Sequence, residues 1–184
     1  MVALVSLQPA CDQSSQGDGE PPGEPGVERC PCGSFGSPLA ARTASALDEI
    51  VETHRGRVRW VHRTFLDRRD ERALSAAVIA AAARKRGRFW KVHDALFAAE
   101  GRLSDDALFR AMEAAGLEPD RLPSLRAERE LLRAVKRDVD AAKRTGVESP
   151  ATVFVNGRYA SGTFGEQEIG ALVQEELAAG GTSG

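Results

Sequence analysis

Apolar residues recur at helical spacing early in the chain. Ala40, Ala44, Leu47, Ile50 and Val51 fall on one face and predict a helix over 39–54, ended by Gly56. The period then changes. Val58, Trp60 and His62 alternate with Arg57, Arg59 and Val61, which predicts a strand within 57–65. Four further helices are predicted at 70–85, 88–99, 104–115 and 124–145. Ser104 suits the N-cap of the third of these, with Asp105 and Asp106 in the first turn, where the helix dipole favours them. Gly116 and Gly146 stand where C-terminal glycines belong.

Two short β runs around Asn156-Gly157 predict a hairpin, and a last helix follows over 164–178, with Thr163 and Glu166 at capping-box spacing. Ahead of the first helix, residues 27–35 (VERCPCGSF) are a weak strand candidate, because Pro31 removes a ladder donor. Residues 8–26 are rich in Gly, Pro, Ser and acids and read as disordered. MVALVSL before them is either a stray strand or part of the same tail.

The order is β, α, β, a helical block, then β, β, α. That is an α/β class fold of the thioredoxin-like arrangement, with an all-helical lobe inserted between its halves. The divisions expected are a disordered lead-in (1–26), the first part of the thioredoxin-like domain (27–66), the helical insert (67–146), the second part (147–179) and a disordered tail (180–184).

Composition narrows the function. Of 184 residues, 42% are hydrophobic and 28% charged, ordinary for a water-soluble domain, and the net charge is −2. Nothing there calls for nucleic acid or an anionic membrane as partner. The basic stretch 83–88 (ARKRGR) reads as a solvated helix end. The longest apolar run, 73–83, is too short to span a bilayer. The N-terminus has no basic start, and Gln8 and Pro9 suit a lipoprotein site at Cys11 badly, so the expected location is the cytoplasm.

Three cysteines, Cys11, Cys30 and Cys32, are too few for a disulfide scaffold. His54, His62 and His93 have no ligand spacing with them, so no metal site is expected, and no motif calls for a cofactor. His93 reads as a packing or hydrogen-bonding residue.

Three segments carry a resemblance: RFWKVHDALFA (88–98), LSDDALFRAMEAAGLEPDRL (103–122) and GVESPATVFVNGRYASG (146–162). In that order they resemble the DsbA-like branch of the thioredoxin-like superfamily, bacterial disulfide oxidoreductase-like domains also found fused to sodium/proton antiporters. The resemblance spans Val27 to Leu177. It implies a C-P-Y-C-like motif at the N-terminus of the first helix, where the helix end lowers a thiol pKa. It also implies a cis-proline loop, usually G-T-P-T, opposite that motif.

The motif positions here fall on Ser37, Pro38, Leu39 and Ala40, with Phe35 in the preceding aromatic position. The loop positions fall on Ser149, Pro150, Ala151 and Thr152, so the cis-proline position holds Ala151. Ser37 reads as a plain N-cap followed by Pro38 at the first helical position. The expectation is therefore a family member without dithiol chemistry, binding an extended peptide or partner protein in a groove between the two segments.

A rival register makes Cys30-Pro31-Cys32-Gly33 the motif and the protein a thiol-disulfide oxidoreductase or isomerase. It requires a helix beginning GSFGSP, at a penalty of about 1 kcal/mol per glycine and about 3 for proline. In the preferred register Cys30 and Cys32 are small buried residues at the end of a strand.

Overall fold

The structure, a computed structural model, describes residues 3–6, 30–31, 34–62, 64–66, 69–144, 147, 151–156, 158–160 and 166–180. Among these, five strands form one sheet: β1 (Ala3–Ser6), β2 (Cys30–Pro31), β3 (Arg59–His62), β4 (Val153–Val155) and β5 (Arg158–Ala160), in the order β2-β3-β1-β4-β5. Seven α-helices accompany it: α1 (Pro38–Thr53), α2 (Glu71–Arg84), α3 (Phe89–Phe97), α4 (Asp105–Ala114), α5 (Leu122–Ala127), α6 (Arg129–Arg144) and α7 (Glu166–Gly180). The described chain is thus mostly helical.

β2 and β3 run parallel and are joined through α1, a β-α-β unit. Pro31 lies on the edge strand, the place in a sheet where a residue without N–H is tolerated. β4 and β5 form the antiparallel hairpin, and Asn156 at its turn has φ +49°, the left-handed conformation that tight hairpins require and asparagine tolerates. α1 packs against α7 and β3, while α7 covers β4 and β5.

Two elements differ from the sequence reading. Ala3–Ser6 is the middle strand of the sheet, neither tail nor stray. It runs antiparallel to β3 and parallel to β4, with Leu4 opposite both Val61 and Phe154. The run Ala-Leu-Val-Ser is short and mostly apolar, as suits a strand in the middle of a sheet. Residues 7–29 lie outside the described residues, and so does the Thr163 cap ahead of α7.

The helix expected over 124–145 is two helices, broken at Glu128, whose backbone is extended (φ −73°, ψ 109°). Leu125 and Leu131 are both buried. Six residues make about 1.7 turns, so an unbroken helix would set these leucines about 120° apart around its axis. The break re-phases the chain so that both leucines face the core, and α6 then buries Leu131, Val135, Val139 and Ala142 along one stripe.

The helical lobe is organised around α2, which packs on α3, α4, α5 and α6. Its buried residues include Ala73, Ala76, Ala77, Val78, Ile79, Ala80, Ala82 and Ala83, apolar nearly all round, as a fully surrounded helix must be. Alanine side chains let four neighbours approach closely at little side-chain entropy cost.

Candidate functional site: the N-terminus of helix α1

α1 starts on local rules. The Ser37 backbone is extended (φ −109°, ψ 116°), its Oγ accepts a hydrogen bond from the Ala40 N–H at 3.2 Å, and Pro38 is the first helical residue. Just upstream, Ser34 Oγ accepts from the Gly36 N–H at 3.3 Å, and the Ser34 carbonyl accepts from the Ser37 N–H at 3.0 Å. Ser34 to Ser37 is thus a hydrogen-bonded turn leading into the helix. Cys30 is in β2, seven positions before the cap, and its backbone pairs with Val61. The helix does not start at the cysteines.

Side chains from the helical lobe hold this turn on several sides. The Phe35 ring lies 4.9 Å from that of Phe97 and 6.3 Å, edge-on, from His93. His93 is itself enclosed by Phe89, Trp90 and Phe97 at centroid distances of 5.9, 5.1 and 4.7 Å. Its Nδ1–H donates to Asp94 Oδ1 at 3.0 Å. A side chain on Gly36 would meet Asp70 Oδ2 at 3.2 Å and the Ala73 methyl at 3.6 Å. Asp70 also caps α2, its Oδ1 accepting from the N–H groups of Arg72 and Ala73 at 3.0 and 2.9 Å. Arg72 then ties α2 to the start of α4, donating to the Leu103 carbonyl at 2.8 Å and to Asp105 Oδ1 at 2.7 Å.

The residues expected to line a groove divide by burial. Phe35 and Ala40 are 2% and 0% exposed, and Ala151 and Thr152 are 5% and 3% exposed. Side chains that far inside cannot line an open groove; they hold it from behind. Ser37 and Leu39 are half-buried and Pro38 is exposed, so these three are what an occupant could touch. Ser149, Pro150 and Cys32 lie outside the described residues.

The sequence reading did not single out Asp70 or Arg72 at this site, because their partners at Gly36, Leu103 and Asp105 are far away in the chain. His93 was read as a packing residue, but the box that encloses it is a tertiary feature.

The basic stretch at 84–88 is engaged within the molecule. The Arg84 guanidinium sits 5.0 Å over the Phe89 ring. Arg86 donates to the Gly116 carbonyl at 3.2 Å, close to the C-terminal end of α4, where cations are favoured. Lys85 lies 2.7 Å from Glu130 and 3.5 Å from Glu128. The Glu130 hydrogen bond raises the Lys85 pKa and lowers that of Glu130. At the β5 edge of the sheet, Arg158 donates to Glu176 Oε1 at 2.9 Å and Asn156 donates to Glu176 Oε2 at 2.8 Å. These bonds, Arg158's first, pull the Glu176 carboxyl below its ordinary range. Lys85, Glu130 and Arg158 are exposed and Glu176 is half-buried, so ties to these exposed partners are salt-screened and weak.

Among the described residues no cluster of three or more His, Cys, Asp or Glu could hold a metal, and no helix is long and apolar enough to cross a membrane.

A β-α-β unit, a hairpin with a closing helix, an interposed helical lobe and a capped helix start gripped by that lobe define a protein of the thioredoxin-like class. A thioredoxin family model matches residues 34–175, and the chain belongs to that family. The match begins after Cys30 and Cys32 and includes the whole of the Ser34–Ala40 segment.

The chain is 32% identical over 145 residues to the Na(+)/H(+) antiporter NhaA 3 of Salinispora tropica, covering 78% of this chain and 22% of the antiporter. It is 31% identical over 147 residues to the Na(+)/H(+) antiporter NhaA 1 of Salinispora arenicola, covering 79% and 22%. It therefore spans about a fifth of the length of these relatives. A crystal structure of a thioredoxin-like oxidoreductase from Silicibacter pomeroyi DSS-3 superimposes with a TM-score of 0.66 at 16% identity, over 96% of this chain and 87% of that one, a likeness of fold.

Proposed function

We propose that this chain is a thioredoxin-fold binding module without dithiol chemistry, which holds an extended peptide or a partner protein against Ser37, Pro38 and Leu39. The observation that carries the reading is the cap of α1. Thiol chemistry in this fold needs a thiolate at that helix end, and the residue there is a serine whose oxygen is committed to the Ala40 N–H. Ala40, at the second cysteine position, is wholly buried. The pairing segment would be Ser149–Thr152, completing a thioredoxin-like β-α-β and β-β-α pair in 27–66 and 147–179, with β1 between them in the sheet and the lobe as the insert. A cytoplasmic location goes with this reading, since a site without a working thiol needs no oxidising compartment.

Two assays test it. Insulin reduction in dithiothreitol is expected to run at the uncatalysed rate. Turnover above that rate, abolished by Cys30→Ser, would overturn the reading in favour of an oxidoreductase using Cys30 and Cys32. Selection from a displayed random heptapeptide library should enrich peptides that the Pro38→Asp variant captures at least tenfold less well. An acidic residue in the first helical turn is favourable, so the helix should survive that change. Equal capture by both proteins would sink the peptide-binding half of the proposal.

A further inference from the structure

The turn after α3 lies against the α1 start. It is closed by hydrogen bonds from the N–H groups of Ala99, Glu100 and Arg102 to the carbonyls of Leu96, Phe97 and Ala99, at 3.2, 2.9 and 2.8 Å. Two consecutive residues in it are left-handed, Glu100 at φ +48° and Gly101 at φ +83°. A side chain on Gly101 would stand 2.6 Å from Pro38 Cδ and 2.7 Å from its nitrogen. The backbone of the lobe therefore lies directly on the Pro38 ring. Glu100 is a non-glycine residue in a sparsely populated conformation, which must be sustained by its surroundings. Those surroundings include Phe97, three positions before the turn's left-handed pair, whose ring is packed on Phe35.

We infer that the Ala98–Arg102 turn is a strap that pins the first turn of α1 and sets how readily position 37 is reached. Phe35 is held by the end of α3, and Pro38 by the turn that follows it. The two contacts grip the cap residue from both sides in sequence. Movement of the turn is then the local opening that would expose the cap. The strap rests on geometry alone; its role in ligand access rests on the function proposed above.

The experiment separates the contact from the conformation. Gly87 is also left-handed, at φ +63°, but a side chain there would meet nothing within 4 Å. Gly87→Ala therefore carries the backbone cost without the collision. Position 37 is made readable by Ser37→Cys in the full-length chain, with iodoacetamide as the probe. Tandem mass spectrometry localises the label, because Cys30 and Cys32 share the tryptic peptide.

Adding Gly101→Ala to Ser37→Cys should raise labelling at 37 by about fivefold or more, the ratio given by about 1 kcal/mol of lost protection. Adding Gly87→Ala should leave it within about twofold. Adding Pro38→Ala to the Gly101→Ala protein removes the Cδ and Cγ contacts but leaves the backbone nitrogen, and should recover part of the lost thermal stability. Equal labelling in the Gly101→Ala and Gly87→Ala proteins overturns the strap. So does a Gly101→Ala protein whose thermal stability Pro38→Ala does not raise at all. Labelling is read without any peptide, so the strap can stand where peptide capture fails, and the reverse.

Discussion

Truncating Phe35 is the most direct test of how the site segment is held. Read as a surface residue beside a groove, Phe35 could be cut to alanine for less than about 0.5 kcal/mol. The structure makes it a core residue, 2% exposed, against Phe97 at 4.9 Å and His93 at 6.3 Å. Removing a buried phenylalanine costs about 3–5 kcal/mol in lost transfer energy and residual cavity. The aromatic contacts contribute part of that, at about 0.5–1.5 kcal/mol per favourable pair. The cavity would border the hydrogen-bonded turn Ser34–Ser37, which can partly collapse into it, so the lower half of the range is expected.

A domain of this size loses about 2–4 °C of melting temperature per kcal/mol. Phe35→Ala should therefore melt about 6–16 °C below the wild type. Urea unfolding followed by tryptophan fluorescence and far-UV circular dichroism gives the free energy directly. Phe109→Ala is the internal control, since Phe109 is 40% exposed, and it should stay within about 0.5 kcal/mol of wild type. If the two variants are indistinguishable, Phe35 is not in the aromatic box and the α1 start is not held as described.

Two further outcomes follow from the caps and the surface ties. Ser37→Ala removes the α1 cap bond and should cost about 1 kcal/mol in urea unfolding; an unchanged midpoint would mean that the helix does not begin at Ser37. The folded-state pKa values of Glu130 and Glu176 are lowered, so their contribution is present above the unfolded carboxylate range, about 4.3, and is lost as pH falls through the folded values. Glu130→Gln/Glu176→Gln should therefore melt below wild type at pH 7 in low salt, and the gap should close both near pH 3 and in 1 M NaCl. A gap that persists under either condition would remove the ion pairs as its cause.

What could be read along the chain was whatever local chemistry dictates. Ser37 and Pro38 announce a helix start, Ser104 does the same with its Oγ accepting from the Ala107 N–H, and Asn156-Gly157 announces a hairpin. What could not be read depends on partners far away in sequence. β1 is a four-residue strand whose neighbours come from Arg59–His62 and Val153–Val155, and nothing in ALVS specifies either pairing. The break at Glu128 lies in a charged stretch without glycine or proline; it exists because Leu125 and Leu131 must face one core. Phe35 was correctly placed before the helix, yet its burial is decided by His93 and Phe97, which arrive some sixty residues later in the chain.

These distinctions bear on what fixes the start of α1. The α1 start is fixed by a serine cap, a proline at the first helical position, an aromatic ring inside the lobe and a glycine lying on that proline. None of these interactions involves a thiol. A cysteine in place of Ser37 would give up a good cap oxygen for a weaker acceptor. A second one in place of Ala40 would have to fit a sulfur where a methyl is already wholly buried. At both positions the demands of folding favour the residues present, serine and alanine. Lobe and helix hold the segment by packing and capping, and neither depends on a thiol.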